Sequence, residues 1–300
     1  VDLNTASSSQ SGTFRFVEPN LLGRDLAFGL NLGYVTTDSD NSTFDTRRIS
    51  LSPSLTFPVS QNGRLQVYYS LEQNKIFDVA AGRSQLLLND QAAGAQITSA
   101  IGYNYSFDTR RTGLNPDAGV VLRFGQEYAG LGGDAKYIRT TALLGAETKI
   151  WNNDVTVRGI LEGGAHHSLG DTNSTVLDRF SHSSSQLRGF SSNGIGPYDA
   201  GDHLGGNYYA YARLEADFPL GLPEEYGITG GLFLDAGSVW GLDDTLGGAI
   251  DDDFDLRATV GFSVFWDTPL GPLRFNFSHP LQESANDETR SFDLTISTQF

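Results

Sequence analysis

The sequence predicts an all-β chain folded as an antiparallel transmembrane β-barrel. Three observations carry that expectation. Apolar and polar side chains alternate with period two over many segments, which is the pattern of strands with one wet and one greasy face. The connections between those segments alternate between short and long. No run of about 18 apolar residues occurs, which excludes a membrane helix, whereas a barrel strand needs only about 9–11 alternating residues.

Composition agrees. Gly 35, Phe 19 and Tyr 12 with no Cys or Met suit strands and turns better than helices. Without Cys there is no disulfide or thiol chemistry. The net charge of -16 argues against a nucleic-acid partner, because phosphate binding is carried by Lys and Arg. With no initiator Met and no signal peptide, Val1 reads as an internal start, so the chain is expected to be a processed product or a fragment.

The segments begin near residues 1, 12, 24, 44, 63, 94, 116, 135, 154, 206, 227, 254, 272 and 290, giving about fourteen strands. Leu26, Phe28, Leu30, Leu32 and Tyr34 share one face, as do Ile49, Leu51, Leu55 and Phe57. Leu65, Val67, Tyr69 and Leu71 follow, then Ile97, Ile101, Tyr103, Tyr105 and Phe107. Later, Tyr208, Ala210, Ala212, Leu214, Ala216 and Phe218 oppose Tyr209, Tyr211, Arg213, Glu215 and Asp217. In the following strand Thr229, Gly231, Phe233, Asp235 and Gly237 oppose Ile228, Leu232 and Leu234. Even positions from Phe254 to Trp266 are apolar, and the last strand sets Phe292, Leu294, Ile296 and Phe300 against Asp293, Thr295, Ser297 and Gln299.

Short connections at 19–24, 60–63, 151–154, 220–226 and 268–272 interleave with long ones at 77–93, 169–205, 241–253 and 282–289. That is the outer-membrane arrangement, with short turns periplasmic and long loops extracellular. Val1 and Phe300 then fall on the periplasmic side. The acidic residues of the long loops, Asp38, Asp40, Asp243, Asp244, Asp251, Asp252 and Asp253, read as a solvated face or as carboxylates bridged by divalent cations to lipid head groups. A soluble sandwich or small barrel also alternates, but fourteen strands enclose more space than side chains can fill. Turning the apolar faces outward into lipid removes the difficulty. Trp240, Trp266, Tyr226 and Phe300 near strand ends then suit interfacial aromatic girdles.

The 169–205 segment is the longest without alternation, and a loop of that length is either disordered or functional. It carries Gln186-Leu187-Arg188-Gly189-Phe190 followed by Gly194, Gly196, Gly201, Gly205 and Gly206. Glu215 and Asp235, on neighbouring strands, both face the lumen. A guanidinium can take two planar carboxylate contacts, which makes Arg188 the candidate to bridge them. The other reading leaves both acids in a charged aqueous lumen among Arg213, Asp217 and Arg257.

Enzyme chemistry has little support. His166, His167, His182, His203 and His279 lack metal-ligand spacing on a common face. Asp199, Asp202 and His203 lie near Ser191 and Ser192, a cluster that polar loops commonly hold. Gly130-Leu131-Gly132-Gly133 precedes no helix and is not a phosphate loop. Phe-Asp-Thr-Arg-Arg at 44–48 and 107–111 falls at opposite rims and reads as coincidence. No catalytic residue, metal or cofactor is expected.

Leu187-Arg188-Gly189-Phe190 resembles the (V/I)RGF loop motif of the BamA-type outer-membrane protein assembly factors. Asn193-Gly194-Ile195-Gly196-Pro197, Leu204-Gly205-Gly206-Asn207, Leu214-Glu215, Phe233-Leu234-Asp235-Ala236-Gly237-Ser238-Val239-Trp240 and Trp266-Asp267-Thr268-Pro269-Leu270-Gly271-Pro272-Leu273 follow in the family's order. Glu18-Pro19-Asn20-Leu21-Leu22-Gly23-Arg24 and Asp108-Thr109-Arg110-Arg111 with Asn115-Pro116 and Gly119 resemble its turns. The tripeptide alone is a chance-level match; the ordered set spans almost the whole chain.

The resemblance implies a sixteen-stranded barrel, preceded by periplasmic POTRA domains, that folds and inserts other outer-membrane proteins. It implies unfolded outer-membrane clients, accessory outer-membrane lipoproteins, and a bilayer with lipopolysaccharide as partners. It also implies a weakly paired seam between first and last strands, to which Phe292, Leu294, Ile296 and Phe300 would contribute. The count of about fourteen suggests that two family strands precede Val1. A TamA-like factor or two-partner secretion transporter shares barrel and motif, and a passive porin remains a third reading.

Overall fold

The computed structural model describes residues 2–6, 9–37, 44–110, 118–268 and 271–296. Its sheet strands in chain order are β1 (Asp2–Ala6), β2 (Ser9–Glu18), β3 (Ala27–Thr37), β4 (Asp45–Pro58), β5 (Gly63–Phe77), β6 (Gln96–Asp108), β7 (Ala118–Gly133), β8 (Tyr137–Ile150) and β9 (Val155–Ser168). The short β10 (Tyr198–Asp199) and β11 (Asp202–His203) form a separate two-stranded hairpin. Then come β12 (Tyr208–Pro219), β13 (Ile228–Trp240), β14 (Arg257–Thr268), β15 (Gly271–Gln282) and β16 (Phe292–Ile296). Among the described residues one α-helix, α1 (Gln85–Ala93), interrupts the pattern.

Fourteen strands make one antiparallel sheet that runs β1 through β9 and then β12 through β16. Each strand pairs with its neighbour in the chain except across the β9–β12 step, where the long loop intervenes. Among the described residues no ladder joins β1 to β16, so the sheet is not closed. Fourteen strands begin close to the fourteen positions expected from alternation. One boundary moves: Phe254 and Leu256 precede β14, because Arg257 is the first residue paired with β13.

The faces follow the pleat. Leu32, Ile49, Leu71, Ile101, Leu144, Leu161, Leu214, Leu232, Leu234, Phe262, Trp266, Phe277, Phe292 and Leu294 are exposed on the outer surface. Tyr211, Phe233, Asp235, Thr259, Ser263, Asn276 and Ser278 are buried on the inner one. This inversion, apolar out and polar in, suits a barrel surrounded by hydrocarbon.

Connection lengths depart from strict alternation at Asp134, Ala135 and Lys136, which join β7 to β8 on the long-loop rim. The 77–93 connection holds α1 instead of being wholly irregular. Ser84 caps it, its hydroxyl accepting from the Leu86 amide at 3.3 Å, and Gly94 ends it at φ 77°. Its apolar residues are too few to show a helical period, but Leu86 and Leu87 find a tertiary core of Ile76, Val176, Leu204 and Ile250. That core roofs the long-loop rim. The 169–205 segment likewise holds the β10–β11 hairpin, where no secondary structure was expected. Val1, Asp38, Asp40, Arg111, Asn115, Pro116, Pro269, Leu270 and Phe300 lie outside the described residues.

Candidate functional site

The loop between β9 and β12 packs on the inner face of the sheet and is fastened by sequence-local and long-range contacts together. An isolated bridge pairs Phe180 with Gly206, and the Arg179 guanidinium donates to the Ser174 and Leu204 carbonyls at 2.7 and 3.3 Å. Beyond Phe180, a tight turn donates the Gln186 amide to the Ser183 carbonyl at 2.8 Å and carries the chain into the barrel. Leu187 and Phe190 are fully buried there with Ile195, Tyr211 and Val239. Burying two such side chains is worth roughly 2–3 kcal/mol each, enough to offset part of the loop's ordering entropy.

Between those apolar anchors sits Arg188. Its Nε donates to Asp235 Oδ2 at 2.6 Å and its Nη2 to Asp235 Oδ1 at 2.6 Å, a bidentate fork. The Arg188 amide also donates to Asp235 Oδ2, at 3.2 Å. Nη1 donates to Glu215 Oε2. The guanidinium lies over the Phe233 ring with its carbon 3.7 Å from the centroid. Sheet register explains the geometry: Glu215 pairs directly with Phe233, and Asp235 is two residues further along the same face of β13. The ring is therefore a floor with one carboxylate at each side. Asp235 has no exposed surface and the Arg188 side chain is 8% exposed, so solvent screens the pair little.

Gly189 is required at the next position. Its φ is +94°, and a Cβ there would lie 2.6 Å from Thr259 Oγ1. Phe190 then forms an isolated antiparallel bridge with Thr289, in the connection between β15 and β16.

The structure thus brings Arg188, Glu215 and Asp235 together, and Leu187, Gly189 and Phe190 seat the arginine. Arg213 and Arg257 are engaged elsewhere: Arg213 donates to Glu162 at 3.0 Å and Arg257 to Asp287 at 3.0 Å. Three participants escaped sequence reasoning. Alternation puts Phe233 on the lumenal face and says nothing of the guanidinium stacked on it. Arg274 on β15 reaches Glu215 and stacks on Phe265 at 4.8 Å. Arg158 on β9 binds Asp217 and, at 3.2 Å, Glu215. The inward phase of both arginines was legible; their shared carboxylate was not. Glu215 therefore serves three guanidiniums, whereas the Asp235 carboxylate faces Arg188 alone among the described ion pairs.

Of the residues expected at a seam, Phe292 and Leu294 face outward, Ile296 pairs with Leu273, and Phe300 lies outside the described residues. The Ser191, Ser192 and His203 cluster does not assemble a triad. Ser192 bonds Ser184, and Asp202 faces Arg83 at 3.5 Å and accepts from the Ser84 amide at 3.4 Å. What the site offers chemically is anchorage.

Comparisons place this geometry among known proteins. The model of the Omp85 superfamily domain matches residues 1–300. The outer membrane protein assembly factor BamA of Neorickettsia risticii is 27% identical over 303 residues, covering 100% of this chain and 40% of that protein. BamA of Nitratidesulfovibrio vulgaris is 26% identical over 292 residues, covering 92% of this chain and 34% of its own length. The sorting and assembly machinery component 50 homolog of Xenopus tropicalis is 26% identical over 235 residues, covering 76% of this chain and 49% of that protein. The chain therefore spans between about a third and a half of the curated relatives it matches. In structure it resembles Haemophilus ducreyi BamA lacking POTRA domains 1-3, with TM-score 0.83, 20% identity, and coverage of 96% of this chain and 62% of that one. CdiB from Acinetobacter baumannii is more distant, with TM-score 0.56, 11% identity, and coverage of 98% and 58%.

Proposed function

This chain belongs to the Omp85 superfamily, and on that premise we propose that it assembles and inserts β-barrel proteins into the bacterial outer membrane. One observation carries the reading. The superfamily match runs over residues 1–300 of a chain whose strands form one antiparallel sheet with an apolar outer surface, Phe292 and Leu294 of β16 among it. An incoming strand in hydrocarbon carries unsatisfied N–H and C=O groups that cost several kcal/mol each. Pairing with the β16 edge satisfies them in sequence, so the protein works by β-augmentation and needs no nucleotide or covalent step.

The long-loop rim faces the exterior, the termini of the sheet face the periplasm, and the Arg188 loop keeps the lumen filled while the seam works. Unfolded outer-membrane proteins are the clients. Accessory lipoproteins and lipopolysaccharide are the further partners. The names of the matched relatives, assembly factors and sorting machinery, support the reading.

Depletion of the full-length protein from its cell tests it. A general loss of folded outer-membrane barrels is the expected result. Loss of a single exported protein, with barrels intact, would instead make this a secretion pore, and steady single-channel conductance with both intact would make it a porin.

A further inference from the structure

The last strand changes partners where it meets the lumenal loop. In β15 the Ser278 amide donates to the Ser291 carbonyl at 2.9 Å, which is the last sheet bond toward β16. Donor positions alternate along a strand, so the next N–H aimed at β16 would belong to residue 280, which is Pro280. The sheet ladder stops there for want of a donor. The chain just before β16 does not go unpaired. Arg290 donates its amide to the Gly189 carbonyl at 2.8 Å, Glu288 to the Gly194 carbonyl at 2.8 Å, and Ser191 to the Glu288 carbonyl at 2.8 Å. Residues 288–290 form a short ladder with the two sides of the loop that carries Arg188.

A buried ion pair holds that ladder to the barrel wall. Arg257, the first residue of β14, donates Nε and Nη2 to Asp287 Oδ2 and Oδ1, both at 3.0 Å. Its Nη1 is fixed by Ser238 Oγ at 3.0 Å and the Asp255 carbonyl at 2.8 Å. Asp287 also accepts from the Ser284 amide at 2.7 Å. The side chains are 4% and 1% exposed, which makes this a second enclosed fork, separate from that of Arg188 and Asp235.

We infer that Arg257 and Asp287 are positioning residues for the seam: their pairing clamps residues 288–290 onto the lumenal loop and thereby sets where the β16 edge is presented to a client strand. The inference rests on the assembly reading above and names the part of the fold that regulates its working edge. Arg188 fixes the loop to β12 and β13, the loop fixes 288–290, and Arg257 fixes the same segment to β14. The segment that leads into β16 is therefore held from inside the barrel, while β16 itself pairs with β15 from Phe292 onward.

Asp287→Asn tests this in the full-length protein reconstituted in lipid vesicles, because it removes the charge and keeps the shape. Two readouts are compared with the unaltered protein: hydrogen exchange at the Glu288 and Arg290 amides, and the rate at which a urea-unfolded outer-membrane barrel is assembled. Exchange at least tenfold faster and assembly several-fold slower, with the barrel's heat-resistant migration retained, are expected. Arg257→Lys, which keeps charge but loses the fork, is expected to fall between. Unchanged exchange overturns the clamp, and faster exchange with unchanged assembly overturns its positioning role. An unaltered protein that assembles no client at all refutes the assembly reading instead, before any variant is compared.

Discussion

Arg188→Ala should release the lumenal loop, and the structure says which contact carries the loss. Glu215 keeps Arg274 and Arg158 when Arg188 is removed. Asp235 keeps only the amide of residue 188, at 3.2 Å, and has no exposed surface. Leaving a buried carboxylate without its counter-charge costs about 3–5 kcal/mol, and loss of the stacking on Phe233 lies within that range once the contacts are not double counted. At about 1.4 kcal/mol per decade, hydrogen exchange of the loop amides at 191, 193 and 194 should speed up on the order of a hundredfold or more. The assay is exchange in lipid on the full-length protein. Arg188→Met with Asp235→Leu should recover most of the protection, since removing both charges leaves nothing uncompensated. Acceleration below tenfold in Arg188→Ala, or a double-mutant cycle that couples Arg188 to Glu215 more strongly than to Asp235, refutes the reasoning.

Glu215→Gln should act elsewhere. It removes the carboxylate that pairs Arg274, costing roughly 2 kcal/mol, and exchange at residues 273–277 of β15 should accelerate more than in the loop. Gly189→Ala combines a left-handed backbone with a Cβ that would lie 3.1 Å from Thr259 Cγ2 and 3.2 Å from Ser278 Cβ, for about 2–4 kcal/mol, read as loss of loop protease resistance. Acid should loosen the same loop through His182, whose pKa burial pushes from the ordinary 6.5 down to about 4. The folded loop holds it neutral against Tyr211, with Arg257, Asp287 and His203 nearby. A group depressed in this way contributes stability that is complete above pH 6.5 and is lost as pH falls toward 4, roughly 3 kcal/mol in all. Asp90, pushed up to about 6 by burial, has the opposite sign, so the comparison to make is proteolysis at pH 7 and 4.5 with and without His182→Asn; an acid response that persists in the variant assigns it to another group.

Alternation is a local property of the chain, and it was enough to determine the fourteen strands, their faces, and the inward phase of Glu215, Phe233 and Asp235. A strand of period two has only two phases, and a wide barrel in lipid admits one of them. The 169–205 loop could be marked as unusual for the same reason, because it breaks the period. Its path could not be read. Whether Arg188 meets Asp235, Arg274 meets Glu215 or Arg257 meets Asp287 depends on sheet curvature and on how a 37-residue connection turns. These pairs join residues 30 to 59 positions apart, and a like-charged alternative such as Arg213 lies nearer to Glu215 in sequence. Helix α1 was hidden too, since Leu86 and Leu87 gain their burial from residues distant in sequence, Val176, Leu204 and Ile250 among them. The exchange of partners at Pro280 was spelled out in the residue type, but its consequence was not: a missing donor ends a ladder, and only the folded loop supplies the ladder that replaces it.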